Sequence, residues 1–456
     1  MSNSAARPAA HEPSVQALLD AETRSVPAVL RETGKSNVPV DPIDRRRYFD
    51  RAFAEREQER LWGRCWQMAC REEDIPEPGD FVIHDAGSSS LLVARQADGS
   101  ILALVNACLH RGRRLRDCDG HAEHFRCPFH GFAWNLDGSC RSLVNGWDFA
   151  HVDREAFRLP AVAVGRWGGF VFVNPADDPE PFETFLEFLP EHYATRGWDL
   201  SLRVKAVHVR KLHRCNWKVA LEAFIESFHV TETHRSAMTY LGDAMTQYDV
   251  WDGFRTTRMI SPRGLHSPNM APISDEEVFR AGLRPALGAA ADAVSLPEGM
   301  TARSAMGDAR RRSLMAEGLD VEGATDCELI DTIQYHVFPN LVLWAGWGSY
   351  LVYRFLPLED DPDQCSMEIM FLVPSPPGKD IPAAREPQLI DFDVSHREAA
   401  QLGGFAGVFD EDMSNLAAIQ KGLKSLQSAG PMTGAVQEAR IRHFHRCLDA
   451  FMAGEG

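Results

Sequence analysis

The 456-residue chain has no apolar stretch long enough to span a bilayer. Its first residues, MSNSAARPAAHEPS, lack the positive segment followed by an apolar run that marks a secretory leader. No membrane role is expected. Ten cysteines in this length are too few and too scattered for a disulfide framework, which suits thiols in a reducing cytoplasm. Positive charge is also short: 48 basic against 65 acidic residues leave a net charge of -17. Such a surface repels nucleic acid and anionic lipid. The only dense basic run is RGRRLR, Arg111 to Arg116, read as a solvated or subunit-facing loop. There is no G-x-G-x-x-G after a strand and no C-x4-C-x2-C spacing, so neither a dinucleotide site nor a plant-type cluster is expected. No internal repeat is found.

Against these absences stands one dense stretch. Cys108-x-His110 is followed, after a gap of 16 residues, by Cys127-x-x-His130. A zinc finger groups cysteine with cysteine and histidine with histidine. Here each pair mixes the two, as a Rieske [2Fe–2S] centre needs, with two thiolates on one iron and two imidazoles on the other. A glycine follows each pair (Gly112, Gly131), where backbone can approach the sulfurs. A zinc-bound structural module and a pure Rieske electron carrier are the competing readings. The length argues against the carrier, because a ferredoxin needs only about 100 residues.

The segments CLHRG and CPFHGFAWNLDG resemble the Rieske domain of the Rieske non-haem iron oxygenases, specifically the large alpha subunit of the aromatic ring-hydroxylating dioxygenases. The respiratory Rieske class carries an extra disulfide between its ligand loops. The matching positions here are Arg113 and Phe129, so the resemblance favours the oxygenase type.

Taken in order, residues 1–45 read as a polar N-terminal arm, and Arg45 to Trp66 as helical, with Tyr48, Phe53, Leu61 and Trp62 on one face. Short β-branched and aromatic runs separated by Gly, Asp and Pro follow to about Asn174. They define a small all-β cluster domain over 46–175. Residues 176–456 alternate strand-like and helical runs without βαβ order, hence an α+β domain. The resemblance implies an antiparallel sheet flanked by helices, of START or helix-grip type. Residues 236–328, poorly patterned, read as an insertion or lid.

A second constellation lies in VALEAFIESFHVTETHR. Glu226 and His229 are three apart and expected on one helix face, with His234 returning after a break. Two imidazoles and a carboxylate make the facial triad of non-haem Fe(II) sites. The spacing leaves open which acid is the third ligand. The resemblance implies that Glu226 bridges electrons to a Rieske histidine of a neighbouring subunit. It places the ligand carboxylate in FDEDMSNLAAIQKGLKS at Asp412, with Asp410 and Glu411 as runners-up. Two departures bear on substrate class. Glu226 stands where most ring dioxygenases have Asp, as in the branch oxidising carnitine- or betaine-type amines, and Glu222-Ala223 stands where many members read Glu-Asn.

The resemblance further implies electrons from NAD(P)H through a separate reductase and a ferredoxin, a head-to-tail homotrimer and a small beta subunit. The expected reaction is O2-dependent hydroxylation of an aromatic or hydrophobic substrate. Oxidative demethylation or monooxygenation of an aryl ether or quaternary amine is the alternative. The expected pocket residues are Ala223, Tyr335, Phe338, Leu343 and Trp344, with Trp347 beside them.

Overall fold

The computed structural model describes residues 13–455 apart from 36, 196 and 377. The first twelve residues of the expected arm lie outside the described residues. The helical expectation for Arg45 to Trp66 resolves into a 3-10 turn at Arg45–Tyr48, an α-helix at Arg51–Glu57 and a π turn at Gln58–Trp62. Tyr48, Leu61 and Trp62 are buried. Among the described residues no helix is long and apolar enough to cross a membrane.

Residues 67–174 form a seven-stranded sheet and a three-stranded one. The larger runs in the order Gln67–Arg71, Phe170–Asn174, Ala161–Trp167, Ile101–Val105, Ser89–Arg95, Asp80–Ala86, Gly120–His121. The smaller pairs His124–Arg126, Ala133–Asn135 and Cys140–Ser142. Both cysteine–histidine pairs sit on loops at strand ends, one after Ile101–Val105 and one between His124–Arg126 and Ala133–Asn135.

The second part is built on an eight-stranded sheet. Its order is Gln247–Val250, Thr257–Ser261, Thr332–Val337, Leu341–Ala345, Leu351–Leu358, Asp361–Pro374, Arg203–His213, Gln388–Ile390. All pairings are antiparallel except the last, which is parallel. Two strands therefore come from within 236–328, the stretch expected to be an insertion or lid. The sequence hid them because each carries a charge into the core. Asp249 and Arg258 are fully buried and joined at 2.7 Å, and together they break the apolar alternation that marks a strand. Only the later portion is a separate helical layer, Asp275–Leu287, Ala302–Ala316 and Asp326–Ile330. Capping boxes at Ser274/Glu277 and Thr325/Glu328 start two of these helices.

Because side chains alternate along a strand, each residue of the sheet has an assigned face. Ile333, Tyr335, Leu341, Leu343, Val352 and Met370 pack with Trp66, Phe170 and Phe172 of the first part. Val342, Trp344, Tyr353, Phe355, Met367 and Ile369 face the helices Trp217–Ala223, Phe405–Ser425 and Ala439–Ala453. One buried ion cluster pins the parts together. Arg354 donates to the carbonyls of Met68 (2.7 Å) and Ala69 (2.6 Å), and to Glu368 at 2.6 Å. Arg210 holds the other oxygen of Glu368 at 2.7 Å. Burial alone raises a carboxyl pKa, but Arg354 and Arg210 outweigh it and hold Glu368 well below the usual range. Glu368→Gln leaves Arg354 buried without its counter-charge. It is expected to cost about 3–5 kcal/mol, measured as a lower urea midpoint of unfolding.

Candidate metal centres

The two cysteine loops are built alike. Cys108 N–H donates to the Arg113 carbonyl and Gly112 N–H to the Cys108 carbonyl, both at 2.8 Å. In the second loop Cys127 N–H donates to Phe132 at 2.8 Å and Gly131 N–H to Cys127 at 3.0 Å. Closing each loop needs a left-handed residue, and Gly112 and Gly131 supply φ values of 74° and 78°. The result is two thiols buried side by side and two imidazoles beyond them, with the His110 and His130 rings 4.6 Å apart. Phe132 stacks on His110 at 4.8 Å. Burial pushes the Cys108 thiol up, while the backbone N–H groups of His110 and Arg111 at its sulfur favour the thiolate. The basic run is mostly neutralised in place: Arg113 pairs with Asp117, Arg114 with Asp85, and Arg116 donates to carbonyls. Arg111 alone reaches forward, over Phe129 and 3.2 Å from His130 Nε2.

The second centre is assembled from two distant segments. The helix Trp217–Ala223, capped by the Asn216 side chain, ends before Glu226. The expectation that Glu226 and His229 share a helix face is corrected. Glu226 lies in the turn after that helix and caps the 3-10 segment Phe228–Thr231, accepting from the backbone N–H of Phe228 and of His229 (3.1 Å). Its other oxygen binds His229 Nδ1 at 2.6 Å.

The opposite wall is the helix Phe405–Ser425. Its buried stripe is Ala406, Phe409, Asp412, Leu416, Gln420 and Leu423. Consecutive helical residues point about 100° apart, so the three neighbouring acids diverge. Asp410 turns to Ser395 and His396. Glu411 takes His234 Nδ1 at 2.7 Å. Asp412, on the stripe, faces both histidines through Oδ1, 2.9 Å from His234 Nε2 and 3.5 Å from His229 Nε2. Donor atoms of His229, His234 and Asp412 all lie within 4.8 Å of one another. Each imidazole thus has a carboxylate behind it and a shared carboxylate in front. Burial disfavours the charged ring, yet Glu226 and Asp412 raise His229 above the ordinary value, and Asp412 and Glu411 raise His234.

The expected pocket residues divide. Trp344 lies on the sheet face toward this triad, 6.4 Å from Tyr353, and Ala223 is half-buried against the same core. Tyr335 and Leu343 are corrected: the two-residue period turns them to the opposite face, where Tyr335 binds His192 at 2.9 Å. Phe338 is packed by Phe444 and Phe451, and Trp347 joins the helical layer. Sequence reasoning missed Tyr353 and its neighbour Phe224, which packs against the same core. Tyr353 lies 5.1 Å from Phe224 and 6.0 Å from Phe409. Burial and the nearby Asp412 carboxylate raise the Tyr353 hydroxyl well above its usual range. The parity of strand 351–358 was the available signal.

Residues 201–454 match the family model described as ring hydroxylating alpha subunit (catalytic domain), and residues 65–145 match the Rieske [2Fe-2S] domain. The chain belongs to the ring-hydroxylating alpha-subunit family. Curated relatives of this Rieske alpha subunit include the chlorobenzene dioxygenase subunit alpha of Cupriavidus sp. (strain PS12). The two are 32% identical over 199 residues, 42% of this chain and 43% of the relative. The salicylate 5-hydroxylase large oxygenase component of Ralstonia sp is 30% identical over 264 residues, 54% of this chain and 61% of the relative. The glycine betaine monooxygenase oxygenase subunit of Pseudomonas aeruginosa (strain UCBPP-PA14) is 31% identical over 189 residues, 41% and 43%. The chain spans about half the length of the curated relatives it matches. Among solved structures, naphthalene 1,2-dioxygenase with indole bound aligns with a TM-score of 0.63 at 19% identity, covering 91% of this chain and 93% of that one. A quaternary ammonium Rieske monooxygenase with L-carnitine aligns at 0.62 and 16%, covering 90% and 95%. These likenesses establish the fold.

The two matched domains imply a Rieske [2Fe–2S] cluster and a mononuclear iron, and the residues present fit both. Paired buried thiols with adjacent imidazoles are the S2N2 donor set of the first. Two imidazoles and one carboxylate, with His234 and Asp412 buried and His229 partly exposed, are that of the second. Outer carboxylates that fix ligand histidines tune metal affinity about 10- to 100-fold. Glu411→Gln is therefore expected to weaken iron binding at the triad by roughly that factor, read by chelator competition, with the cluster absorbance unchanged. Iron affinity is also expected to fall as pH drops through the raised values of His229 and His234, because both rings must be neutral to ligate. Titrating iron at several pH values checks this.

Proposed function

We propose that the chain is the terminal oxygenase component of a multicomponent NAD(P)H-dependent Rieske system. In this reading Cys108, His110, Cys127 and His130 hold the cluster, and His229, His234 and Asp412 hold Fe(II). With both groups bound, the protein has a one-electron carrier and an O2-activating metal. The observation that carries the reading is the His229–His234–Asp412 triad, set against an aromatic wall in a chain that also has both Rieske loops.

The protein's own groups then have assignable tasks. Glu226 accepts the Nδ1 proton of His229 and Glu411 that of His234, so each ring offers Nε2 toward Asp412. Phe224, Tyr353 and Phe409, set edge-on and tilted to one another, give an aromatic wall beside the triad for a substrate. Such surfaces suit an aromatic ring. They also hold a trimethylammonium group, so a quaternary amine is the second reading, and relatives of both kinds are known.

Electron transfer between subunits is supported by the layering. Strands of the first part pack on one face of the eight-stranded sheet and the helices around the triad on the other, each packed layer being about 10 Å thick. The cluster loops carry Phe129 and Leu109 at 57% and 38% exposure, with Trp147 nearby at 80%, and Phe228 beside Glu226 is 48% exposed. In a head-to-tail ring, here a homotrimer, these surfaces of neighbouring copies meet and Glu226 bridges His130 of one to His229 of the next. A separate reductase, a ferredoxin and a small beta subunit complete the proposed assembly.

A single turnover tests the function. The anaerobically reduced protein is mixed with aromatic acids, hydrocarbons, aryl ethers and quaternary amines, exposed to O2, and products are read by mass. No oxygenated or demethylated product from protein with both centres loaded overturns the reading. With iron supplied in excess to offset the weaker hold on His229, Glu226→Gln is expected to retain the cluster spectrum and a loaded iron site while slowing product formation about 10- to 100-fold. Full activity in that variant removes Glu226 from the electron route.

A further inference from the structure

The sheet face beside the triad carries buried N–H donors without an acceptor. Arg440, on the helix Ala439–Ala453, has no solvent exposure. Its guanidinium reaches the Ile225 carbonyl (3.1 Å), Thr257 Oγ1 (2.9 Å) and Gln334 Oε1 (2.9 Å), and its Nη2 has no acceptor. Those bonds anchor the turn before Glu226, but every one goes to a neutral group. Directly across from Gln334 in the antiparallel pair is Trp344. Trp344 is 9% exposed, and its Nε1–H has no acceptor either. Two residues along the same strand face, about 7 Å away, is Thr332. Arg263 Nη2 lies 3.4 Å from its hydroxyl, and the buried Arg263 Nε is unpartnered. Neither guanidinium forms an ion pair among the described residues. Two cations and an indole N–H therefore converge on one stretch of strand with no ion pair of their own, and Asp249, the carboxylate that acts on Arg440 through space, is already paired with Arg258.

Burying a cation without an anion is costly, and burial lowers Arg440 to about 9. A structural role accounts for the three neutral contacts and leaves the charge unmatched. An oxyanion between the guanidiniums supplies both the missing acceptor and the missing charge, and a carboxylate matches the planar fork of arginine. Trp344 connects this patch to the iron triad, since its ring meets Tyr353 at 6.4 Å and Tyr353 meets Phe409, one helical turn from Asp412, at 6.0 Å.

We propose that Arg440, Arg263 and Trp344 form a carboxylate subsite, so that the substrate is an organic acid whose apolar body lies along Tyr353 and Phe409. The substrate assignment rests on the oxygenase reading, whereas the anion binding does not. A carboxylate is common to aromatic acids, fatty acids and betaines, and the probes separate these bodies.

The test measures binding calorimetrically, without O2, on the full chain with both metal centres loaded. The probes are acetate, benzoate, 3-phenylpropionate, decanoate and L-carnitine, each against its methyl ester. At least one acid is expected to bind tenfold or more tighter than its ester. Arg263→Gln and Trp344→Phe, which remove donors while preserving most of the packing, should each weaken that acid about 10- to 100-fold and leave ester binding unchanged. Arg440→Gln is avoided because Arg440 also holds the Ile225 carbonyl. If no acid outbinds its ester, or if acid affinity ignores both substitutions, the subsite is overturned. If the acids bind as expected but single turnover gives no product, the subsite stands and the oxygenase reading falls.

Discussion

Everything at the triad depends on one carboxylate in an apolar stripe. Asp412 lies on the buried line of its helix between Phe409 and Leu416, where an unpaired charge is expensive. It is tolerated because two imidazoles from a segment nearly two hundred residues earlier are brought against it, and in the proposed reading a divalent cation would complete the balance. The second pair of carboxylates, Glu226 and Glu411, extends the same logic outward. Each occupies the far nitrogen of a histidine, so neither ring can turn its ligand atom away. The stripe that packs the helix and the carboxylate that faces the two histidines are the same face, which couples the site's geometry to core packing.

The sheet beneath has a second organising effect. Its two faces are dedicated to different partners, one to the Rieske part and one to the helices that enclose the triad. Arg354, on an interior strand, is tied to backbone carbonyls of the first strand of the Rieske part, with Glu368 as its counter-charge. The sheet thus fixes the placement of the Rieske part against one face and of the triad-bearing helices against the other. That arrangement gives physical content to the proposed electron transfer between neighbouring copies.

The two Cys/His pairs of the Rieske domain were legible at once, because both loops are local. Each needs only a Cys, a His and a left-handed Gly within a few residues, and those letters are adjacent in the chain. His229 and His234 were legible for the same reason. Glu226 was recognised as important, but its placement on a helix face failed, since the helix ends at Ala223 and the carboxylate caps the following turn. The strands holding Asp249 and Arg258 were missed because a buried ion pair looks polar in a linear reading. Tyr335 and Leu343 were assigned to the pocket because aromatic and apolar content does not reveal parity. A one-residue offset in a strand moves a side chain to the other face.

The sequence by itself determined the donor set of the Rieske loops, the histidine pair and the α+β character of the second part, all of which rest on short-range spacing. Only the tertiary structure decided which of three consecutive acids faces the histidines, because that depends on the rotation of a helix about its axis relative to a segment far away. It alone decided which face of each strand meets the triad, since register is set by pairing with other strands. The unpaired Arg440 and Arg263 belong to this second class. Each is an ordinary arginine in the chain, and only folding strips away the counter-charges and places both beside Trp344.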